Sequence, residues 1–221
     1  MKKLFKAVFI SALVLTSASL NAQSINVGYV STTPTVKIGD GDVEPGDAIK
    51  GITAGFGYDI NILNGLGIST GLNYTYAWDK EKTTESLPFV GDFSFTAKSV
   101  DHYIDVPVRL SYTLSFSDDF KVFGFAGPKF VYAVAGKTTF SASSDLTGDI
   151  DLSEYMEDFN HYDKEMETSR FDIKAGLGAG VQFNNIVLKA GYDWGLLNQY
   201  TGDFDLTAKS NQFYVTLGWA F

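Results

Sequence analysis

His102 and His161 are the only imidazole side chains in this chain of 221 residues, which also contains no cysteine. Imidazole titrates near neutral pH and is the commonest general acid or base in enzymes. His102 shares one face of an alternating run with Ile104 and Val106, so we expect it at an apolar interface rather than among ligands. His161 stands isolated in an acidic loop. The two histidines therefore predict neither a metal centre nor a readable catalytic triad.

Clustered carboxylates are the other candidate chemistry, because Ca²⁺ and Mg²⁺ prefer oxygen ligands. Residues 39–47 read GDGDVEPGD, and residues 137–169 are rich in Asp and Glu. The weak metal-ligand candidates are Asp149, Asp151 and Glu154 in the second segment. Neither segment has the ligand spacing of an EF-hand loop. The sequence thus favours a solvated acidic loop, leaves any metal unknown and predicts no cofactor.

Runs of alternating apolar and polar residues must position these side chains. A period of two predicts a strand with two different faces, as where Leu66, Ile68 and Leu72 oppose small and polar neighbours. The runs span about residues 24–33, 50–61, 66–79, 99–115, 119–136, 170–184, 186–199 and 209–221. They predict an all-β fold of eight antiparallel strands.

The connections between the runs alternate in length. Short turns lie near residues 61–65, 116–119 and 184–185, whereas long connections span 34–49, 80–98, 137–169 and 200–208. Short turns on one side and long loops on the other are typical of outer-membrane barrels, whose short turns face the periplasm. We therefore predict an eight-stranded up-and-down transmembrane β-barrel in the outer membrane of a Gram-negative cell, with both termini periplasmic.

The last run has the pattern of a closing strand. Its apolar residues alternate up to the C-terminus: Phe213, Val215, Leu217, Trp219 and Phe221. We expect these side chains to face lipid, and the strand to complete the barrel and act as its assembly signal.

The N-terminus has the features of a secretory signal peptide. Lys2, Lys3 and Lys6 precede a short apolar core at residues 7–15, and small residues end at Ala22. Such a segment is cleaved on export. We predict a signal peptide at residues 1–22 and a single barrel domain at residues 23–221.

The polar faces of the runs carry glycines and charges of both signs. An eight-stranded barrel is narrow, and buried charges must be paired or hydrated. We therefore predict a lumen plugged by ion pairs; the alternative is a proton or ion path. The predicted network comprises Asp59, Asp101, Asp105, Arg109, Asp172, Lys174, Lys189 and Asp193. Pro107 lies among them and, lacking an N–H, must mark a bulge or a local break.

Three segments resemble strand motifs of a known family. Residues 102–112 (HYIDVPVRLSY), 124–132 (GFAGPKFVY) and 192–198 (YDWGLLN) are similar to the outer-membrane β-barrel domain common in Bacteroidetes, often labelled PorT-like. In size the chain also resembles small porin-like and OmpX-like barrels. The resemblance implies structural motifs and brings no agreed catalytic residues. Some members of that family assist a secretion system.

These patterns predict a small outer-membrane barrel with a plugged lumen and a structural or surface-interaction role, exerted through long acidic extracellular loops. We expect no enzyme. The alternatives are a porin-like channel or transporter for small solutes, a secretion-system accessory, an outer-membrane enzyme whose triad assembles in space, and an exported soluble barrel of lipocalin type.

The net charge of the chain limits the partners that it can bind. A formal net charge of −9 repels the phosphate backbone, so we expect no nucleic acid. The expected partners are outer-membrane lipid and lipopolysaccharide, the barrel-assembly machinery, and a protein in the periplasm or outside the cell. A further hypothesis is that the acidic loops bind calcium or magnesium at the lipopolysaccharide surface.

Overall fold

Almost all of the described chain is β-strand. The computed structural model describes residues 23–87, 91–144, 148–151, 159–163 and 166–221. The strands are β1 (Gln23–Ile38), β2 (Glu44–Pro45), β3 (Ile49–Leu63), β4 (Leu66–Leu87), β5 (Gly91–Ser115), β6 (Phe120–Ser144), β7 (Gly148–Asp151), β8 (Phe159–Asn160), β9 (Phe171–Phe183), β10 (Ile186–Gly195) and β11 (Leu206–Ala220). Within these ranges, no helix has the length and apolar character needed to cross a bilayer. The expected signal peptide lies outside the described residues.

Eight long strands close into a ring. They pair in the order β1, β3, β4, β5, β6, β9, β10 and β11, and every neighbouring pair is antiparallel. The ring closes because β11 also pairs with β1, from Ser24↔Ala220 to Ile38↔Leu206. This closure pairs both edges of each long strand around the ring. The predicted all-β, antiparallel, up-and-down barrel is confirmed.

The short turns use residues that tolerate a positive φ. Asn64 (φ 43°) and Gly65 (φ 86°) connect β3 to β4, and two such residues in succession form the type I′ turn that suits the twist of a hairpin. Asn184 (φ 50°) starts the turn between β9 and β10. Local turn chemistry therefore fixes these hairpins where the sequence predicts them.

Strands β4, β5 and β6 extend far past the predicted ends. The expected loop at residues 80–98 is wrong, because most of it is a hairpin in which Thr84 and Ser94 hydrogen-bond across the strands at 2.8 Å. Strands β5 and β6 have 25 residues each, more than twice the about 9–11 that cross a bilayer. Residues 79–85 of β4 are all charged or Thr and have no apolar face, so the alternation that reveals the barrel strands is missing on this side of the hairpin.

The expected loop at residues 137–169 is also partly strand. β6 continues to Ser144, and the short strands β7 and β8 pair with its upper part. β7 lies beside residues 141–144, and β8 lies beside Lys137 and Thr138. These short strands cover an edge that would otherwise be open to pairing with another chain.

The ladder of β5 is interrupted on both sides near Pro107. Pairing with β4 skips Val106 and Pro107, and pairing with β6 skips Val108 and Arg109. The expected break at Pro107 is thus present. On β6, Gly127 has a φ of 149°, which favours glycine. The register shift between β5 and β6 lies between His102 and Tyr103.

Apolar side chains face away from the barrel axis and charged ones face into it. Phe56 and Leu217 are 60% and 54% exposed, whereas Asp172 and Asp193 are 2% and 0% exposed. A protein folded in water would show the opposite arrangement. A barrel surrounded by hydrocarbon requires the one observed.

Candidate functional site

Two ion pairs that share one carboxylate join strands across the lumen. Arg109 on β5 donates from Nη2 to Oδ1 of Asp193 on β10 at 2.5 Å. Lys129 on β6 places Nζ 2.5 Å from the other oxygen, Oδ2. All three side chains are buried. We call Arg109, Lys129 and Asp193 the plug.

The break in the β5 ladder explains how Arg109 reaches this position. Its Nη1 donates to the carbonyl of Gly127, which has no ladder partner on β5, and to the carbonyl of Gly176 at 3.3 Å. The guanidinium therefore takes the place of the missing strand hydrogen bonds. The backbone defect and the buried charge satisfy each other.

Small residues make room for the plug. A Cβ on Gly176 would overlap the carboxylate of Asp193 and press on the carbonyl of Tyr192. A Cβ on Gly191 would overlap the ring of Tyr214. The glycines that the sequence places on the polar faces are therefore required by close approach of side chains from other strands.

Neutral hydrogen-bonding groups complete the surroundings of the plug. Lys129 donates to the side chain of Gln212, and its Nζ lies 5.4 Å from the ring centre of Tyr214. Asp105 accepts a hydrogen bond from Asn73 Nδ2 at 2.9 Å. Each polar contact compensates in part for the loss of water around a buried charge.

The remaining predicted network residues form separate groups. Lys174 donates to the carbonyl and hydroxyl of Ser210 at 2.8 and 2.7 Å and lies 3.8 Å from Asp172. Asp59 accepts from Ser69. Lys189 lies 5.6 Å above the ring of Phe123. Of the predicted residues, only Arg109 and Asp193 meet in the plug.

Lys129 is not among the residues predicted to line the lumen. In the run at residues 119–136, Phe123 and Phe125 compete with Val122 and Phe130 for the same face, so the alternation does not assign a face to Lys129. One signal was available: the predicted network held Asp59, Asp101, Asp105, Asp172 and Asp193 against Arg109, Lys174 and Lys189. Such an imbalance indicates that a further buried cation is needed.

The mouth of the barrel holds a second cluster around His161. Its Nδ1 lies 2.9 Å from Asp101 Oδ1, and its Nε2 lies 2.7 Å from Thr138 Oγ1. The expectation that His161 is isolated in a solvated loop is therefore wrong. We call these contacts the latch, because they attach residues 159–163 to strands β5 and β6.

The latch has the hydrogen-bond order of a hydrolytic triad, namely acid, imidazole and hydroxyl. Thr138, however, is only 8% exposed, and its hydroxyl also hydrogen-bonds to Ser99 Oγ at 2.7 Å. A nucleophile must meet a substrate carbonyl, and this hydroxyl is enclosed. The arrangement fits the fastening of a loop better than catalysis.

Tyr162 lies next to the latch. Burial, and then the negative charge of Asp101, raise the pKa of the Tyr162 phenol to about 12. The guanidinium of Arg170 lies 4.9 Å from the centre of its ring and donates to the carbonyl of Val134 at 2.9 Å. Tyr162 is thus a neutral lining group at the mouth.

The other sequence candidates lie outside both clusters. Asp149 and Asp151 belong to β7 and pair with Ser143 and Ser141, whereas Glu154 lies outside the described residues. Among the residues that the structure describes, no group of three or more His, Cys, Asp or Glu side chains could hold a metal ion. His102 lies on the outer face, where Tyr74 hydrogen-bonds to it.

The closing strand pairs on both sides. Leu217 lies between Val27 of β1 and Leu188 of β10, and Trp219 lies between Ile25 and Ile186. The side chains of Phe213, Leu217, Trp219 and Phe221 are exposed, and that of Val215 is half-buried. The last strand therefore presents an apolar outer surface.

A small cavity of about 100 Å³ lies against the plug. Arg109, Lys129 and Asp193 contribute to its wall, with Phe125 and Lys189. A space of this size holds a few waters. It offers room for hydration rather than for a solute of metabolite size.

Comparison with known proteins identifies the architecture. The family described as outer membrane protein beta-barrel domain matches residues 21–200, and no curated protein matches the chain. The attachment invasion locus protein Ail of Yersinia pestis is similar, with 18% identity over 91% of this chain and 99% of that one, at a TM-score of 0.35.

Two further solved structures are similar. For OprG of Pseudomonas aeruginosa the identity is 10%, over 91% of this chain and 96% of that one, at a TM-score of 0.39. For the outer membrane enzyme PagL the sequence identity is 13%, over 86% of this chain and 98% of that one, at a TM-score of 0.40.

Proposed function

The chain belongs to the outer-membrane β-barrel domain family, and from that premise we propose that it is a plugged barrel that acts through its surface rather than as a pore. It is an outer-membrane β-barrel protein. The proposal adds that residues 1–22 are a signal peptide, that residues 23–221 form the mature barrel, and that both termini are periplasmic. The short turns at Asn64 and Asn184 support this orientation.

The observation that carries the proposal is the plug. Asp193 joins Arg109 and Lys129 across the lumen, and the exposed fractions of the three side chains are 0%, 4% and 6%. An ion that crossed this layer would have to displace paired charges from one another. Breaking one partner from a buried pair costs about 3–5 kcal/mol, so thermal opening of the plug is rare.

The surface role is supported by the projecting sheet of β4, β5 and β6. Its strands continue well beyond the length needed to cross the bilayer, and β7 pairs along its edge. A large ordered surface of this kind suits contact with a protein outside the cell, and the many Asp and Glu residues in the sequence at 137–169 support contact with a cation. Calorimetry that detects no heat with millimolar calcium would reject the cation hypothesis.

The PorT-like, Bacteroidetes-type branch is supported by the three segments that resemble its strand motifs, because each contributes one residue to the plug. Residues 102–112 contain Arg109, residues 124–132 contain Lys129 and residues 192–198 contain Asp193. A secretion-system accessory role fits the projecting sheet equally well. The expectation that the chain is not an enzyme is supported by the enclosure of Thr138.

Conductance in planar bilayers tests the proposal. The full chain should insert and stay electrically silent, whereas Arg109→Ser/Lys129→Ser/Asp193→Ser/Asp105→Asn should show stable current steps, because it removes the plug and neutralises Asp105, the buried carboxylate that faces Lys129 and Arg109. Heat-modifiable gel migration verifies that both proteins are folded. Stable steps from the unaltered protein would refute the plugged lumen and favour the porin-like alternative.

A further inference from the structure

Charges on the hairpin of β4 and β5 are separated by face. Lys80 and Lys98 continue the outward alternation of Trp78 and Val100, and both are exposed. Asp79 and Glu81 occupy the alternate positions of β4, which continue the inward face of Ala77. In a chain of net charge −9, the lipid side of this hairpin is therefore basic.

Lys80 and Lys98 lie directly opposite each other in the ladder. Side chains in such a pair start about 5 Å apart at Cβ, and like charges there repel. In the described part of the chain, neither lysine forms an ion pair. A directly opposed pair of this kind is favourable when an anion lies between the two ammonium groups.

A third lysine extends the patch. Lys50 on β3 is paired with Trp78, which lies two residues before Lys80 on the same face. Lys50 and Lys80 are thus diagonal neighbours, about 7–8 Å apart. We call Lys50, Lys80 and Lys98 the lysine patch; Trp78 lies among its members.

The lysine patch lies at the end of the apolar outer surface. Tyr74, Tyr76 and Trp78 follow one another on the outward face of β4, and the rings of Tyr76 and Trp78 are 5.7 Å apart. Outward aromatic residues of membrane barrels settle at the level of the lipid headgroups. The next outward residue, Lys80, therefore lies where lipid phosphates are found.

A depression adjoins the patch on the same side of the barrel. It has a volume of about 510 Å³ and is lined by Val100, His102, Val134 and Arg170, among others. Val100 is two residues from Lys98 on the same face. Its lining combines apolar residues (Val100, Val134) with basic and polar ones (Arg170, Asn160), which suits the glycerol or sugar part of a lipid headgroup.

We propose that the lysine patch binds the phosphate groups of anionic lipid in the outer leaflet. This inference rests on the proposed function, since it requires the barrel to span the membrane with the projecting sheet outside. The phosphate lies between the ammonium groups of Lys80 and Lys98, with Lys50 as the third donor. Binding relieves the repulsion between the opposed lysines and fixes the depth of the hairpin in the leaflet.

Lipid retention in nanodiscs tests the proposal. The full chain is reconstituted in phosphatidylcholine discs with a minor fraction of phosphorylated lipid A, and co-purifying lipid is measured by native mass spectrometry. Lys80→Gln/Lys98→Gln should weaken retention of lipid A by about 30-fold, because each lysine near an anionic surface contributes about fivefold. Lys80→Arg/Lys98→Arg should retain it, because the charge is kept.

The matched control is Lys37→Gln/Lys121→Gln, which removes the same charge elsewhere and should leave retention unchanged. An equal loss of lipid A retention in both Gln double variants would show that only net charge matters and would overturn the proposal. Full retention of lipid A in Lys80→Gln/Lys98→Gln would overturn it as well. Binding of soluble inorganic phosphate with equal strength would also overturn it, because it would show an ion site rather than a lipid site. A chain that fails to enter nanodiscs would instead refute the membrane barrel itself.

Discussion

The guanidinium of Arg109 lies 2.5 Å from the carboxylate of Asp193, although the two residues are 84 positions apart in the chain. The contact joins β5 to β10 across the lumen. Neither strand could keep its charge buried alone, because an unpaired ion in a dry interior is very costly. The pair therefore links the fold of the barrel to the closure of its lumen.

Asp193→Asn should destabilise the barrel strongly. It leaves the buried Arg109 and Lys129 without their counter-charge, and the expected loss is about 3–5 kcal/mol in the free energy of unfolding. Urea unfolding from lipid vesicles, followed by tryptophan fluorescence, measures the loss. Asp203→Asn, at an exposed position, is the matched control and should change stability by less than about 0.5 kcal/mol. Equal effects of the two variants would contradict the role of the plug.

Gly176→Ala should also destabilise the barrel, since the added Cβ overlaps the Asp193 carboxylate. The expected cost is about 1–3 kcal/mol, as for overpacking of a dense interior. Gly124→Ala is the control, because the nearest atom to its Cβ would be the carbonyl oxygen of Gly178 at an ordinary 3.8 Å. If both alanines shift the urea midpoint alike, close packing around the plug is not the cause.

His161→Ala should release residues 159–163 from the mouth without unfolding the barrel. It removes the hydrogen bonds to Asp101 and Thr138, so the segment should be cut faster by a protease added outside. His102→Ala changes the same side chain on the outer face and should leave the cutting rate unchanged. An unchanged rate for His161→Ala would show that other contacts hold the segment.

The phenol of Tyr162 should resist ionisation at alkaline pH. Its pKa is raised to about 12 by burial and by Asp101, so the neutral form is favoured in the folded state. This contribution to stability is complete below the unfolded-state pKa of about 10 and is lost as the pH rises through about 12. The difference in absorbance at 295 nm between the unaltered protein and Tyr162→Phe measures the ionisation. A step near pH 10 would contradict the buried position.

The sequence predicted the barrel because its signals are local. Alternation from Leu66 onward and the Asn64-Gly65 pair specify a strand, its two faces and its turn within a few residues. The inward face of Arg109 and Asp193 follows from the same alternation. The contact between Arg109 and Asp193 does not follow from the alternation, because it depends on which strands face each other across the lumen and on the ladder break at Gly127.

The sequence contains no pattern that predicts two parts of the structure. The part of β4 beyond Trp78 is rich in charged residues and Thr, and no apolar face distinguishes it from a loop. His161 pairs with a residue 60 positions away, which sequence spacing does not show. Lys129 was missed because the neighbouring Gly127 and Pro128 disturb the alternation that assigns a face.

The orientation of the side chains is tested most directly by nitroxide labels, since the chain has no native cysteine. Labels at Leu72→Cys and Leu217→Cys in lipid bilayers should relax with dissolved oxygen and not with a water-soluble nickel complex. A label at Asn26→Cys, beside the lumen cavity, should show little response to oxygen. The reverse pattern, with oxygen reaching position 26 and the nickel complex reaching positions 72 and 217, would contradict the account.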